Sequence, residues 1–95
     1  MSIEAISAAR KIQGIAPRDK FVLIGLADYA NDEGWAMLRQ KALAEWTGYG
    51  INTVAAALTS LEDAGLITSK TQYRDDGGKS HKRYCLAFLE GRNNG

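Results

Sequence analysis

The chain is poor in the residues that build covalent, metal-bound or membrane-spanning proteins. A single cysteine, Cys85, a single histidine, His81, and a single proline, Pro17, occur among its 95 residues. One cysteine cannot close an internal disulfide, so a reducing, cytosolic setting is expected. Cys85 and His81 together fall short of the ligands a zinc site needs. No apolar run approaches the ~20 residues that cross a bilayer, and the start, Met1-Ser2-Ile3-Glu4, lacks the basic and apolar regions of a signal peptide. An excess of one charge is missing too: the net charge is +1, so no strong overall field drives binding to nucleic acid or membrane. The length excludes a second domain and an interior catalytic cleft.

What is present is ordinary globular material, 45% hydrophobic and 24% charged, enough for one core. Residues 3–13 read as a first helix with Ser2 as its N-cap and Ile3, Ile6, Ala9 and Arg10 on one side, ended by Gly14. Pro17 opens a second helix that runs to about Ala30. Its Phe21-Val22-Leu23-Ile24-Gly25-Leu26-Ala27 stretch is apolar all round, the mark of a central, buried helix. After the polar turn Asn31-Asp32-Glu33-Gly34, the short apolar link Trp35–Leu38 fits a minimal strand. A third helix covers about 39–46, with Leu43 and Trp46 as core anchors, and Thr47-Gly48-Tyr49-Gly50 makes a tight turn. A fourth runs from Ile51 to Ala64 and stops at Gly65. Ile51, Val54, Ala55, Leu58 and Leu61 give it a 3.6-residue period, and the opposite face carries Tyr49, Asn52, Thr53, Ala56 and Ser60. Beyond Gly65 the period changes to two. Strands over 67–73 and 83–88, the second with Tyr84, Leu86 and Phe88 on one face, flank the turn-rich Asp75–Ser80 loop. The domain is placed at 1–90 and a flexible tail at 91–95.

This order describes an α+β fold: a small winged helix-turn-helix, with a three-helix core, an extra N-terminal helix and a C-terminal β-hairpin wing. In that layout the second helix of the pair enters the DNA major groove, which admits one α-helix, and the wing follows the backbone. The charges agree with it. Residues 68–84 carry a net +3, from Lys70, Arg74, Lys79, Lys82 and Arg83 against Asp75 and Asp76. These cations are the candidate phosphate contacts. Tyr49, Asn52 and Thr53, at the start of the fourth helix, are the candidate base or backbone contacts, since Asn reads adenine and Thr reaches a phosphate or a thymine methyl.

The residues also resemble a known family. Leu43-Ala44-Glu45-Trp46-Thr47-Gly48, then Asn52-Thr53-Val54, then Leu61-Glu62-Asp63-Ala64-Gly65-Leu66-Ile67 resemble winged helix-turn-helix domains. Met1–Ala5, Pro17–Leu23 and Ala27-Asp28-Tyr29-Ala30-Asn31-Asp32-Glu33-Gly34 resemble phage-type helix-turn-helix proteins. Many of those are N-terminal DNA-binding domains of phage or plasmid replication initiators. The resemblance implies a non-enzymatic role in replication initiation or transcriptional regulation. Double-stranded DNA would be the partner, joined by a second copy of the chain or replication proteins. The sequence departs from that family in two places. Met37-Leu38-Arg39 stands where a small cap follows an aromatic-proline pair, and the fourth helix starts without the usual arginines. A second reading therefore stays open: a protein-interaction module, using its alanine-rich helix face, that no longer recognises DNA.

Other signals resolve to plain structure. Trp35, Trp46, Tyr29 and Phe21 are expected to pack in the core, and Cys85 to act as a small core hydrophobe. The Asp28–Gly34 run fails as a calcium loop, because Tyr29 and Gln40 fall where carboxylates are needed. Gly48-Tyr49-Gly50 follows no strand and is no nucleotide loop. The lone histidine, read as part of a loop, has no nucleophilic partner. No cofactor, metal, membrane or small-molecule ligand is expected.

Overall fold

The computed structural model describes residues 3–72 and 81–89. In chain order they form α1 (Ile3–Lys11), α2 (Pro17–Tyr29), β1 (Trp35–Leu38), α3 (Gln40–Thr47), α4 (Ile51–Asp63), β2 (Ile67–Gln72), β3 (His81–Leu86) and a closing 3-10 turn, Ala87–Leu89. The three strands pair antiparallel in the order β1-β3-β2. The architecture is α+β, a winged helix-turn-helix in which helices cover one face of a small sheet.

α2 is the central element and touches α1, α3, α4 and β1. Asp19 is buried on it, paired with Arg18 at 2.8 Å, and its buried apolar set, Val22, Leu23, Gly25, Leu26 and Ala27, wraps most of its circumference. This is the packing that an uninterrupted apolar run imposes. The wrap is incomplete, because Phe21 is 40% exposed and Tyr29 is exposed as well. Gly25 lets α3 approach: a Cβ built there would stand 3.0 Å from Trp46 Cε3 and 3.2 Å from Leu43 Cδ2. α1 ends at Lys11, earlier than the pattern suggests, and buries Ala5 and Ala9 rather than Ile3, which is 76% exposed. Alanines at i and i+4 let α1 lie close on α2. Ser2 lies outside the described residues.

The Asn31–Gly34 turn is held by one side chain. Asn31 Oδ1 accepts the Glu33 and Trp35 amides at 3.0 Å each, and Gly34 takes φ +85°, a region open to glycine. This turn aims β1 at β3, with Trp35 opposite Cys85 and Leu38 opposite Lys82. The Asp28–Gly34 run therefore serves a bend and a strand start.

The inner face of the sheet buries Ala36, Leu38, Ile67, Tyr84 and Leu86. The strand expected to reach Phe88 leaves the sheet at Leu86. There the Ala87 amide donates to the Leu66 carbonyl at 2.9 Å, the chain tightens into a 3-10 turn, and Leu89 takes the buried place. His81, read from the sequence as part of a loop, is the first residue of β3 and pairs with Gln72. The loop expected at 75–80 and the tail at 91–95 lie outside the described residues.

Candidate nucleic-acid interface

The helix-turn-helix is built by short-range chemistry around Thr47. Its hydroxyl donates to the Leu43 carbonyl at 2.8 Å and accepts the Tyr49 amide at 3.1 Å. Gly48 turns left-handed, φ +83°, and its amide donates to the Ala44 carbonyl, closing α3. Gly50 then starts α4 with its carbonyl accepting the Val54 amide at 3.0 Å.

α4 has no side-chain N-cap, no acid in its first turn, and Glu62 and Asp63 at its far end. Its amide-rich start is therefore the end that favours anions. Val54, Ala57, Leu58 and Leu61 face the core. Ile51 was expected among them, but it is 51% exposed, because the helix starts beyond the edge of the core, and Ala57 takes the buried position. Asn52, Ala56 and Thr59 are exposed, and Thr53 and Ser60 half-buried, so the outer side of α4 is open to a partner. Tyr49 is half-buried. Its ring stands edge-on to Phe21 with centroids 6.0 Å apart, and Phe21 in turn leans on Trp46 at 5.2 Å. Tyr49 thus ties the turn to α2.

The wing splits its cations between two faces. Lys82 shares strand parity with the buried Tyr84 and pairs with Leu38 and Thr71, on the side of the sheet that carries α4. Lys70 and Arg83 pair with each other on the opposite face, where the Arg83 guanidinium lies 4.6 Å from the Trp35 ring centroid. Arg74 and Lys79 lie outside the described residues. Of the named cations, the structure thus brings Lys82 to the helix side and places Lys70 and Arg83 on the other.

Two further cations were not singled out in the sequence. Arg39 and Lys41 are exposed at the start of α3, immediately after the β1 residue that pairs with Lys82. The first helix of a helix-turn-helix crosses the DNA backbone. The signal that would have found them is position at the head of that helix.

Ser69 joins the wing to α4 through a 3.1 Å hydrogen bond from its hydroxyl to Glu62 Oε1. Beside it, the Tyr84 hydroxyl is fully buried without a hydrogen bond of ordinary geometry, although the Gln40 amide lies near. Burial pushes the Tyr84 phenol above its ordinary value; Gln40 opposes this and Glu62 adds to it. Trp35 and Trp46 are partly buried, and Cys85 sits half-exposed on the outer sheet face. The aromatic side chains and the cysteine are therefore less enclosed than core positions would be. Among the described residues no His, Cys, Asp or Glu group is placed to hold a metal ion, and no helix is long and apolar enough to cross a membrane.

A three-helix arrangement with this turn and a β-hairpin defines a winged helix-turn-helix, a class of DNA-binding modules. The chain belongs to the Helix-turn-helix domain family, whose pattern matches residues 13–67. It is also similar to Protein YmfN of Escherichia coli (strain K12), with 35% identity over 60 residues, or 63% of this chain. The chain spans 13% of that protein's length. No solved structure matches it.

Proposed function

We propose that the chain is a non-enzymatic DNA-binding module that places α4 in the major groove of duplex DNA. The observation that carries this reading is the open, uncapped start of α4, directly after the Thr47–Gly48 turn. Asn52 and Thr53 supply base or backbone contacts there, with Tyr49 as their support. Lys82, Arg39 and Lys41 supply phosphate contacts on the helix side. Arg74 and Lys79, which lie outside the described residues, join the proposed set, while Lys70 and Arg83 turn to the opposite sheet face and are not counted in it. By its resemblance to phage and plasmid proteins, the module serves replication initiation or transcriptional regulation. One such module buries only ~600–1,000 Å² on DNA, so tight binding calls for a second copy or a linked domain.

Fluorescence anisotropy on random duplex DNA across a salt series tests this. With about four phosphates engaged, log K falls against log salt with a slope near −3.6. Lys82→Ala, Arg39→Ala and Lys41→Ala each weaken binding across all sequences and reduce the slope by about 1. Absence of binding at low salt rejects the reading. A second reading, a protein-interaction module, is favoured by one observation: the exposed residues Asn52, Ala56 and Thr59 of α4 include no cation.

A further inference from the structure

The α4 face leaves the outer face of the sheet unused. Strand register places its side chains in rows. Trp35, Cys85 and Thr68 form one row; Met37, Arg83 and Lys70 form the next, toward the wing. These rows hold two cations and no carboxylate. Met37 is 57% exposed, and Thr68 and Lys70 are exposed. Arg83 lies over the Trp35 indole.

We propose that this outer sheet face binds single-stranded nucleic acid, at a surface separate from α4. The cation–π contact with the indole, 4.6 Å from the guanidinium carbon to the ring centroid, holds the Arg83 head group on this face, and a guanidinium so held keeps N–H donors for phosphate or base oxygens. An indole and a guanidinium held together on an open sheet face offer stacking surface to an unpaired base, and every base has a π-face to lay on it. Lys70 stands beside Arg83 to meet the adjoining phosphate. Met37 supplies an adaptable apolar edge.

Geometry selects a single strand over a duplex. The major groove admits an α-helix or a two-stranded ribbon, and a three-stranded face is broader than either. Bases inside a duplex are stacked on one another and cannot lie on the guanidinium. The pure positive charge of the rows selects a polyanion over an apolar protein partner. α4 packs on the other side of the sheet, where Ser69 bonds Glu62, so the outer sheet face is the one turned away from α4. This proposal does not depend on the duplex reading.

The test uses anisotropy of a labelled oligothymidylate of about 12 nucleotides, with a random duplex measured in parallel. Met37→Glu and Thr68→Glu each place a carboxylate among the rows at an exposed position, and circular dichroism and melting temperature verify the fold. Each is expected to weaken oligothymidylate binding about tenfold or more, leaving duplex binding within about twofold. Asn52→Ala is expected to do the reverse. No oligothymidylate binding at low salt overturns the proposal, as does binding indifferent to both carboxylates. Equal loss of duplex binding overturns it by merging the face with the duplex site. A shift from dimer to monomer in sedimentation, without loss of oligothymidylate binding, overturns it in favour of a contact between copies.

Discussion

Trp46 donates its indole Nε1–H to Asp28 Oδ2 at 3.0 Å, locking the first helix of the helix-turn-helix to the central helix. The acceptor is a carboxylate, yet both residues are partly exposed, so the bond contributes less than a buried charged one. Asp28→Ala is expected to cost about 1 kcal/mol, and Asp28→Asn less. For a domain of this size, 1 kcal/mol lowers the melting temperature by about 4–8 °C, which thermal circular dichroism reads directly.

Gly25 faces the same α2–α3 crossing. Alanine there gains about 0.8–1 kcal/mol of helix propensity. Its methyl, however, meets Trp46 and Leu43 closer than ordinary contact distance, and overpacking costs typically about 1–3 kcal/mol. Gly25→Ala is therefore expected to be net destabilising, with a lower urea midpoint and an unchanged m-value. A more stable variant would show that α2 and α3 separate easily.

At Gly48 the space is open, since a Cβ meets nothing within 4 Å, but φ is +83°. The cost of a side chain is then conformational. Gly48→Ala is expected to lose about 1–2 kcal/mol, and Gly48→Asn noticeably less, because asparagine tolerates the left-handed region. Equal losses from both variants in chemical denaturation would contradict this.

Tyr84 brings a pH dependence. Burial raises its pKa above the ordinary 10.0, so the folded state holds the phenol proton more tightly than the unfolded chain. Stability is then fully present below pH 10 and falls as pH rises from there toward the folded value. Tyr84→Phe is expected to remove that alkaline decline. At neutral pH it is expected to be neutral or mildly stabilising, because it deletes a buried hydroxyl that lacks a well-formed hydrogen bond. Stability curves of both proteins from pH 7 to 11 check this.

The legible parts of this molecule are those whose causes lie close together in the chain. The spacing of Val54, Leu58 and Leu61 placed the inner side of α4, and Gly48 and Gly65 placed the ends of α3 and α4. Ile51 escaped that reading because periodicity assigns an angle around the helix and not a depth along it, and the core does not extend under the first turn. Arg39 and Lys41 escaped because a cation at a helix start carries no periodic signal; the fold sets Arg39 directly after Leu38, the β1 partner of Lys82. The resemblance of the Asp28–Gly34 run to phage-type proteins has a structural basis: Asp28 anchors Trp46, Asn31 shapes the turn, and Gly34 adopts a left-handed φ.

Sequence alone determined the order of elements, the helix-turn-helix and the presence of a basic hairpin, because helix periods, caps and glycine turns are local properties of the chain. Tertiary structure decided what Lys70, Lys82 and Arg83 face. Alternation along the strand already set Lys82 on the side of Tyr84 and Arg83 on the other; only pairing with β1 and β2 decided what each side meets. That non-local pairing put Lys82 on the side of the helices and laid Arg83 on Trp35 on the other.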